Sequence, residues 1–273
     1  MIFVFNKWDE FCCRLKDRGI ISIPACEVSD SKNYLVLKHD VENSPERALK
    51  LAETENKYGH KGTYYVQAYL LDDSENIEIL KKIQKLGHEV SYHYDVMDSN
   101  KGDLTKAKEE FEKNIALFEK NGFKITTVCQ HGNPVAERVG YTSNRDFFRN
   151  CSDKYPNIAD IMVDYKEKYN TEYEYYSDAG RKFSLIYDPI NNDVINSDDR
   201  NISYNDLNEL LNVLENNKNY IISTHPHRWS RSAAKYVINM WIFAIIKTAA
   251  KILMKIPFIK KIMSRYYYLA KKI

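Results

Sequence analysis

A chain of 273 residues, 44% hydrophobic and 29% charged, is long enough to bury a full core, which excludes both a disordered polypeptide and a short disulfide-stapled module. Five cysteines (Cys12, Cys13, Cys26, Cys129, Cys151), two of them adjacent and none in a CxxC spacing, argue against a disulfide framework or a thiolate zinc site. The net charge of +2 conceals a division, because beyond Glu215 there are twelve basic residues and no acidic one, so an acidic body carries a basic tail.

Taken in order, residues 6–18 place Trp8, Phe11, Cys12 and Leu15 at helical spacing, and Gly19 ends the run. The apolar stretch at Met1 to Phe5 is too short for the core of a signal peptide, which together with the free cysteines places the chain in a reducing cytoplasm. Tyr34-Leu35-Val36-Leu37 then runs as a strand into Lys38-His39-Asp40-Val41-Glu42, and Ser44 with Pro45 opens a helix as N-cap and first residue. That helix stops at Gly59. Gly62-Thr63-Tyr64-Tyr65-Val66 reads as a second strand, Ser74 caps a helix ending at Gly87, and residues 88–92 form a third strand running into His93-Tyr94-Asp95. A long helix at residues 104–121 precedes a fourth strand, residues 124–129, which runs into Gln130-His131-Gly132-Asn133-Pro134.

Beyond residue 150 the pattern is weaker. Strands are expected at 158–163, 173–176 and 184–187, with Ser177-Asp178-Ala179-Gly180 as a turn. Ser203 caps a helix through Leu214, and Tyr220-Ile221-Ile222-Ser223-Thr224 gives a last strand that delivers His225-Pro226-His227-Arg228-Trp229. Alternation of strands and helices at this spacing predicts an α/β protein with parallel β/α construction, in which all carboxyl ends lie on one face. His39 with Asp40, His93 with Asp95, and His131 can therefore converge although tens of residues separate them. An Asp-His-His set of this kind suits a divalent ion that activates water.

These segments resemble the polysaccharide deacetylase family, metal-dependent hydrolases that remove acyl groups from sugars on a distorted (β/α) barrel. His39-Asp40 stands where the family has an Asp-Asp pair, Gly62 to Val66 is similar to its second strand, and Gly87-His88-Glu89-Val90-Ser91-Tyr92-His93 to its metal-histidine motif. His131-Gly132-Asn133-Pro134, Tyr176-Ser177-Asp178-Ala179-Gly180-Arg181 and Thr224-His225-Pro226-His227-Arg228-Trp229 are similar to later loops of a divergent branch. Two departures stand out: the family's general base is replaced by His39, and its second metal histidine falls at Met97, a poor ligand for a hard or borderline metal. Either His131 or His39 supplies the third ligand, or the site has decayed. His131 is preferred, because Gly132 lets the chain turn sharply after it and the fourth strand neighbours the third.

The resemblance implies a deacetylase barrel over residues 1–230 with Asp40, His93 and His131 as ligands of a divalent metal, zinc by preference. It further implies His225 as the acid that protonates the leaving group and Asp178 as the carboxylate orienting it, while His39 is placed to take the proton from water. Arg228 and Trp229 are expected to meet the substrate. Residues 231–273 form the basic tail: 236–246 are almost wholly apolar, Lys247, Lys251 and Lys255 recur every four residues, Pro257 interrupts, and 258–272 resume with lysines and three consecutive tyrosines. Such a basic amphipathic segment reads as an interfacial helix on the inner membrane surface, with packing on the acidic body as the rival; no stacking or groove-reading motif supports nucleic acid. The reading is thus a cytoplasmic, peripherally membrane-bound deacetylase of an acetylated nucleotide sugar or lipid-linked saccharide in surface-glycan synthesis. Its alternatives are a non-catalytic saccharide-binding or scaffold barrel at the membrane, and a metal hydrolase of another amide or ester.

Overall fold

The computed structural model describes residues 2–28, 33–133, 136, 138–178, 181–186 and 202–253. The apolar spacing of the first segment gives α1 (Phe5–Asp17), whose Trp8, Phe11, Cys12 and Leu15 are buried. The alternation that follows is β1 (Leu35–Val41), α2 (Pro45–Lys57), β2 (Gly62–Val66), α3 (Ser74–Lys85), β3 (Glu89–Tyr94), a short α4 (Val96–Ser99), α5 (Leu104–Lys120) and β4 (Thr127–Gln130). Short elements come next: α6 (Asp146–Cys151), β5 (Ala159–Asp160), α7 (Tyr165–Lys168), β6 (Glu174–Ser177), β7 (Phe183–Ile186) and β8 (Ser203–Tyr204). The chain then forms α8 (Leu207–Val213), β9 (Tyr220–Thr224) and α9 (Ala233–Leu253).

The strands make one sheet in the order β5-β4-β3-β2-β1-β9-β6-β7-β8. From β5 through β9 to β6 every pairing is parallel, and β7 and β8 add antiparallel pairs at one end. Among the described residues the two edge strands, β5 and β8, are not paired with each other, so the result is a mixed α/β fold around an open, mostly parallel sheet with β1 and β9 side by side at its middle. This is the fold class expected from the alternation.

Parity along the strands assigns their side chains to two faces, since successive residues point to opposite sides. The inner face carries Val36, Tyr65, Cys129, Tyr175 and Ile221, packed with Ala25, Val28 and Tyr165. On the outer face, Leu35, Leu37, Phe183 and Ile222 pack against α1 and α8, while Tyr64, Val66, Tyr92, Tyr94 and Val128 pack against α2, α3 and α5. Both faces are apolar through most of their depth, so polar side chains on the inner face are exceptions that call for a reason.

Several local expectations change. Ser44 lies in the left-handed region (φ 56°) where the chain turns off β1, and its hydroxyl donates to Asn43 Oδ1 rather than capping α2. Asp73, not Ser74, caps α3 by accepting from Glu75 N at 2.9 Å, and Asp206, not Ser203, caps α8 by accepting from Glu209 N at 2.8 Å. In both cases a nearby carboxylate, the stronger acceptor, takes the cap position. The strand expected at 158–163 is only the two residues of β5. The turn at Ala179 and Gly180, Tyr187, Pro134, and the tail from 254 onward, including Lys255, Pro257 and the three tyrosines, lie outside the described residues.

Candidate metal centre and acid-base pair

The polar exceptions on the inner face gather toward the carboxyl ends of the strands. Positions 38, 40 and 42 of the β1 segment share that face, as do 91 and 93 of β3, 129 and 131 of β4, and 223 and 225 of β9. Lys38, His93 and Ser223 are buried, with 2% or less of their surface exposed, and Asp40 and His131 are only slightly more open.

Deepest is Lys38, whose ammonium lies 2.5 and 2.6 Å from the two carboxylate oxygens of Asp40 and 3.3 Å from Ser223 Oγ, over the ring of Tyr65. Burial drives the Asp40 carboxyl up, but the Lys38 ammonium beside it outweighs that and holds the group at about 2. Asp40 is therefore a carboxylate at any physiological pH. Burial also pushes the Lys38 ammonium toward neutrality, and Asp40 more than reverses that, so the pair is ionic from both sides.

Above this pair, His93 sets its Nδ1 3.0 Å from the Cys129 carbonyl. A carbonyl only accepts, so Nδ1 carries the proton and the Nε2 lone pair is left for a ligand. Burial lowers the His93 pKa to about 3, only partly countered by Asp40, so the ring is neutral. His131 packs edge-on against it with centroids 5.2 Å apart, and its Nε2 lies 3.3 Å from Glu42 Oε1, while its buried Nδ1 has no hydrogen-bond partner among the described residues. The backbone of His131 is pinned by Asn144 Nδ2, which donates to its carbonyl at 2.8 Å, and by its own N–H to Tyr94 O at 2.7 Å. Glu42 also faces His225 Nε2 at 3.7 Å and His227 Nδ1 at 3.9 Å. Burial raises the Glu42 carboxyl, and the surrounding histidines drive it well below its usual range.

Among the described residues, two sets of three side chains bring donor atoms within 4.8 Å of one another: Glu42, His93 and His131, and Asp40, His93 and Cys129. The chemistry of the donors separates them. In the second set the Cys129 thiol is pushed up by burial and Asp40 already spends both oxygens on Lys38, so neither offers a free anionic donor. In the first, an ionised carboxylate, a neutral imidazole of fixed tautomer and a buried imidazole with an unpaired nitrogen fit a divalent ion. Of the trio Asp40, His93 and His131 expected from the sequence, Asp40 meets His93 in one set and His131 meets His93 in the other, where Glu42 supplies the carboxylate. Asp40 lies one layer deeper and 3.8 Å from His225 Nε2.

At the same rim, His225 Nδ1 is 2.5 Å from Asp178 Oδ1, and Asp178 Oδ2 accepts from Thr224 Oγ1 at 2.6 Å and from His225 N at 3.1 Å. Burial would raise the Asp178 carboxyl, but His225 and Arg228 hold it low, so a fixed carboxylate orients the imidazole. The pairing of these two residues follows the sequence expectation.

Three expected roles are not supported. His39, adjacent to Asp40 on a strand, points to the opposite face: it is fully buried, stacks on Tyr64 at 4.3 Å, and places Nε2 2.9 Å from Glu55 Oε1. Glu55 accepts in addition from Trp8 Nε1 and Tyr64 Oη, closing a polar knot behind the sheet that cannot reach water in the site. Gly62 belongs to this knot, since a Cβ there would stand 2.8 Å from Leu37 O and 3.0 Å from Glu55 Oε2. Trp229 is 1% exposed, packs edge-on against Phe3 and donates Nε1 to Thr224 Oγ1, so it supports the strand end and offers no ring to a substrate. Arg228 turns Nη1 onto the Asp178 carboxylate at 2.7 Å, so this end of its guanidinium is held by the protein. Met97 is buried in the outer core, away from the centre. A cavity of about 540 Å³ between residues 67–72 and α5 includes Tyr69 and Asp95 but none of the site histidines.

No family model matches the chain, and no curated protein matches it. Among solved structures it is similar to a carbohydrate esterase of family 4 from Streptococcus mutans (12% identity, 85% of this chain and 90% of that chain, TM-score 0.47). It is likewise similar to the family 4 carbohydrate esterase of Streptomyces lividans in complex with acetate (14%, 72% and 81%, 0.43). A third is a mutant of a family 4 pseudoenzyme with restored enzymatic activity (14%, 81% and 65%, 0.45), of which this chain spans less than two thirds.

Proposed function

We propose that this protein is a metal-dependent deacetylase that hydrolyses an acyl amide or ester on a sugar. The observation that carries the reading is the meeting, at one rim, of Glu42, His93 and His131 with Asp40 and the Asp178–His225 pair. Glu42, His93 and His131 would hold the ion, for which zinc suits one carboxylate and two imidazoles. A bound divalent ion supplies Lewis acidity, polarising the acyl carbonyl and easing deprotonation of water. Asp40, kept ionised by Lys38 and 3.8 Å from His225 Nε2, stabilises positive charge on that imidazole as it takes the proton of the attacking water. His225, its Nδ1 fixed by Asp178, presents Nε2 to the leaving amine or alcohol and gives it a proton. His39 has no part in the reaction.

The substrate is an acetylated sugar carried on a nucleotide or on a lipid, and the protein works in the cytoplasm at the inner membrane surface. Support comes from the unpaired cysteines and from the basic, acid-free segment beyond Glu215. Acetate release from a panel of acetylated amino sugars, with and without chelator, tests the reading. Metal-dependent release is expected. Metal binding without release from any sugar would point to a hydrolase of another amide or ester, and neither would leave a non-catalytic barrel.

A further inference from the structure

The helix α9 leaves the body of the protein with two unlike faces. Toward the body, Tyr236 is buried beside Phe3, Asn239 Nδ2 lies 3.4 Å from Ser230 Oγ, and Met240 Sδ accepts from Arg181 Nη1 at 3.0 Å. Away from it, Val237, Ile238, Trp241, Ile242 and Ile245 are 43–69% exposed. At about 100° per residue these five fall within one arc of roughly 140°, and Tyr236, Asn239 and Met240 fall on the opposite side. A continuous stripe of large apolar side chains in water needs a partner.

The charge pattern says which. Lys235 is exposed on α9, and the chain carries only basic charges from Lys218 onward. Two copies meeting through this helix would bring like charge against like, whereas an anionic lipid surface accepts the apolar stripe and is attracted by the basic charge of this part of the sequence. Among the described residues no helix is long and apolar enough to cross a membrane.

The root of the helix is joined to the catalytic rim. Arg181, which holds Met240, donates its own N–H to Asp178 O at 2.7 Å, and Asp178 is the carboxylate that orients His225. Resting on the deacetylase reading, we infer that the α9 stripe docks on an anionic bilayer and that this brings the Asp178–His225 side of the site to the headgroup layer. A lipid-linked acylated saccharide is thereby the substrate class, in preference to a freely diffusing nucleotide sugar.

The test uses the full chain and its Trp241→Glu/Ile245→Glu variant, both positions being solvent-exposed and outside the core. Co-sedimentation with vesicles of equal parts phosphatidylglycerol and phosphatidylcholine should pellet the parent, and the variant should bind about tenfold or more weakly. Acetate release should be faster for the parent on an acetylated amino sugar carried by a vesicle-embedded alkyl diphosphate, and equal for the two proteins on the same sugar with a short soluble tail. Equal pelleting of parent and variant overturns the inference. So does a parent that ignores vesicles but forms a dimer in sedimentation velocity that the variant loses, since a second copy is then the occupant. Failure of either protein to release acetate from any substrate counts against the deacetylase reading instead, and the vesicle result still decides the docking.

Discussion

Replacing Lys38 with methionine keeps the length of the side chain and removes the charge that both oxygens of Asp40 lean on. The ammonium is 1% exposed and the Asp40 side chain 10%, so water cannot replace it. What remains near the carboxylate is Ser223 Oγ at 3.5 Å and His225 Nε2 at 3.8 Å, both beyond good hydrogen-bond length. Removing one partner of a buried ion pair costs about 3–5 kcal/mol, a large share of a typical total of roughly 5–15 kcal/mol. The loss is bounded by the carboxyl's ability to take a proton instead. It should therefore be greatest at neutral pH and shrink as pH falls and the variant's carboxyl, no longer held down by the ammonium, takes a proton, a decline that continues until the parent's own carboxylate protonates at about 2. Urea unfolding at pH 7.5 and pH 4 measures this, read from the midpoint with the slope unchanged. Lys38→Met/Asp40→Leu, in which no charge is stranded, should recover much of the loss. A single variant that loses less than about 1 kcal/mol at pH 7.5, or a double variant as unstable as the single, would refute the reasoning.

Asp178→Asn should leave the ion in place and lower kcat by about 100-fold or more, because the amide no longer fixes the imidazole for proton donation; unchanged kcat would remove the pair from the reaction. His39→Phe should lower the unfolding midpoint by opening the Glu55 knot yet leave metal content as in the parent, and loss of the ion would return His39 to the site. Asp160 is buried between Tyr94 Oη and Met162 N, and burial holds its carboxyl up at about 7 despite those hydrogen bonds. A folded pKa above the unfolded value of about 3.9 means that this group's stabilising contribution is full below pH 4 and lost as pH rises through 7. Asp160→Asn should therefore flatten the decline of the thermal midpoint between pH 5 and pH 8, and an unchanged slope would contradict it.

Much of the fold was legible because β/α alternation is a local signal: apolar spacing, glycine stops and strand composition gave β1, β2, β3, β9 and the helices between them. The convergence of His93 and His131 followed from parallel strands, while His225 entered through the family resemblance. What went unread was parity. Asp40 and Glu42 are two apart and share a face, whereas His39 and Asp40 are neighbours and cannot. Counting by two from Lys38 would have set Lys38, Asp40 and Glu42 in one column and sent His39 to the outer layer. Lys38 was passed over because a lysine in a strand usually reaches solvent; that it lies inside is decided by Asp40, through a contact between near neighbours that hydropathy does not report. In the sequence Trp229 and Arg228 read as substrate contacts because they stand beside His225. Their partners, Phe3 from the start of the chain and Asp178 from the β6 end, are distant in sequence and visible only when folded.

The centre itself is tested most directly by the metal content of the purified protein after dialysis, measured by plasma mass spectrometry on the parent and on four single variants. The account predicts about one divalent ion per chain in the parent and in Asp40→Asn, and almost none in Glu42→Gln, His93→Ala and His131→Ala. An ion kept by Glu42→Gln and lost from Asp40→Asn, or no ion in the parent, would contradict it.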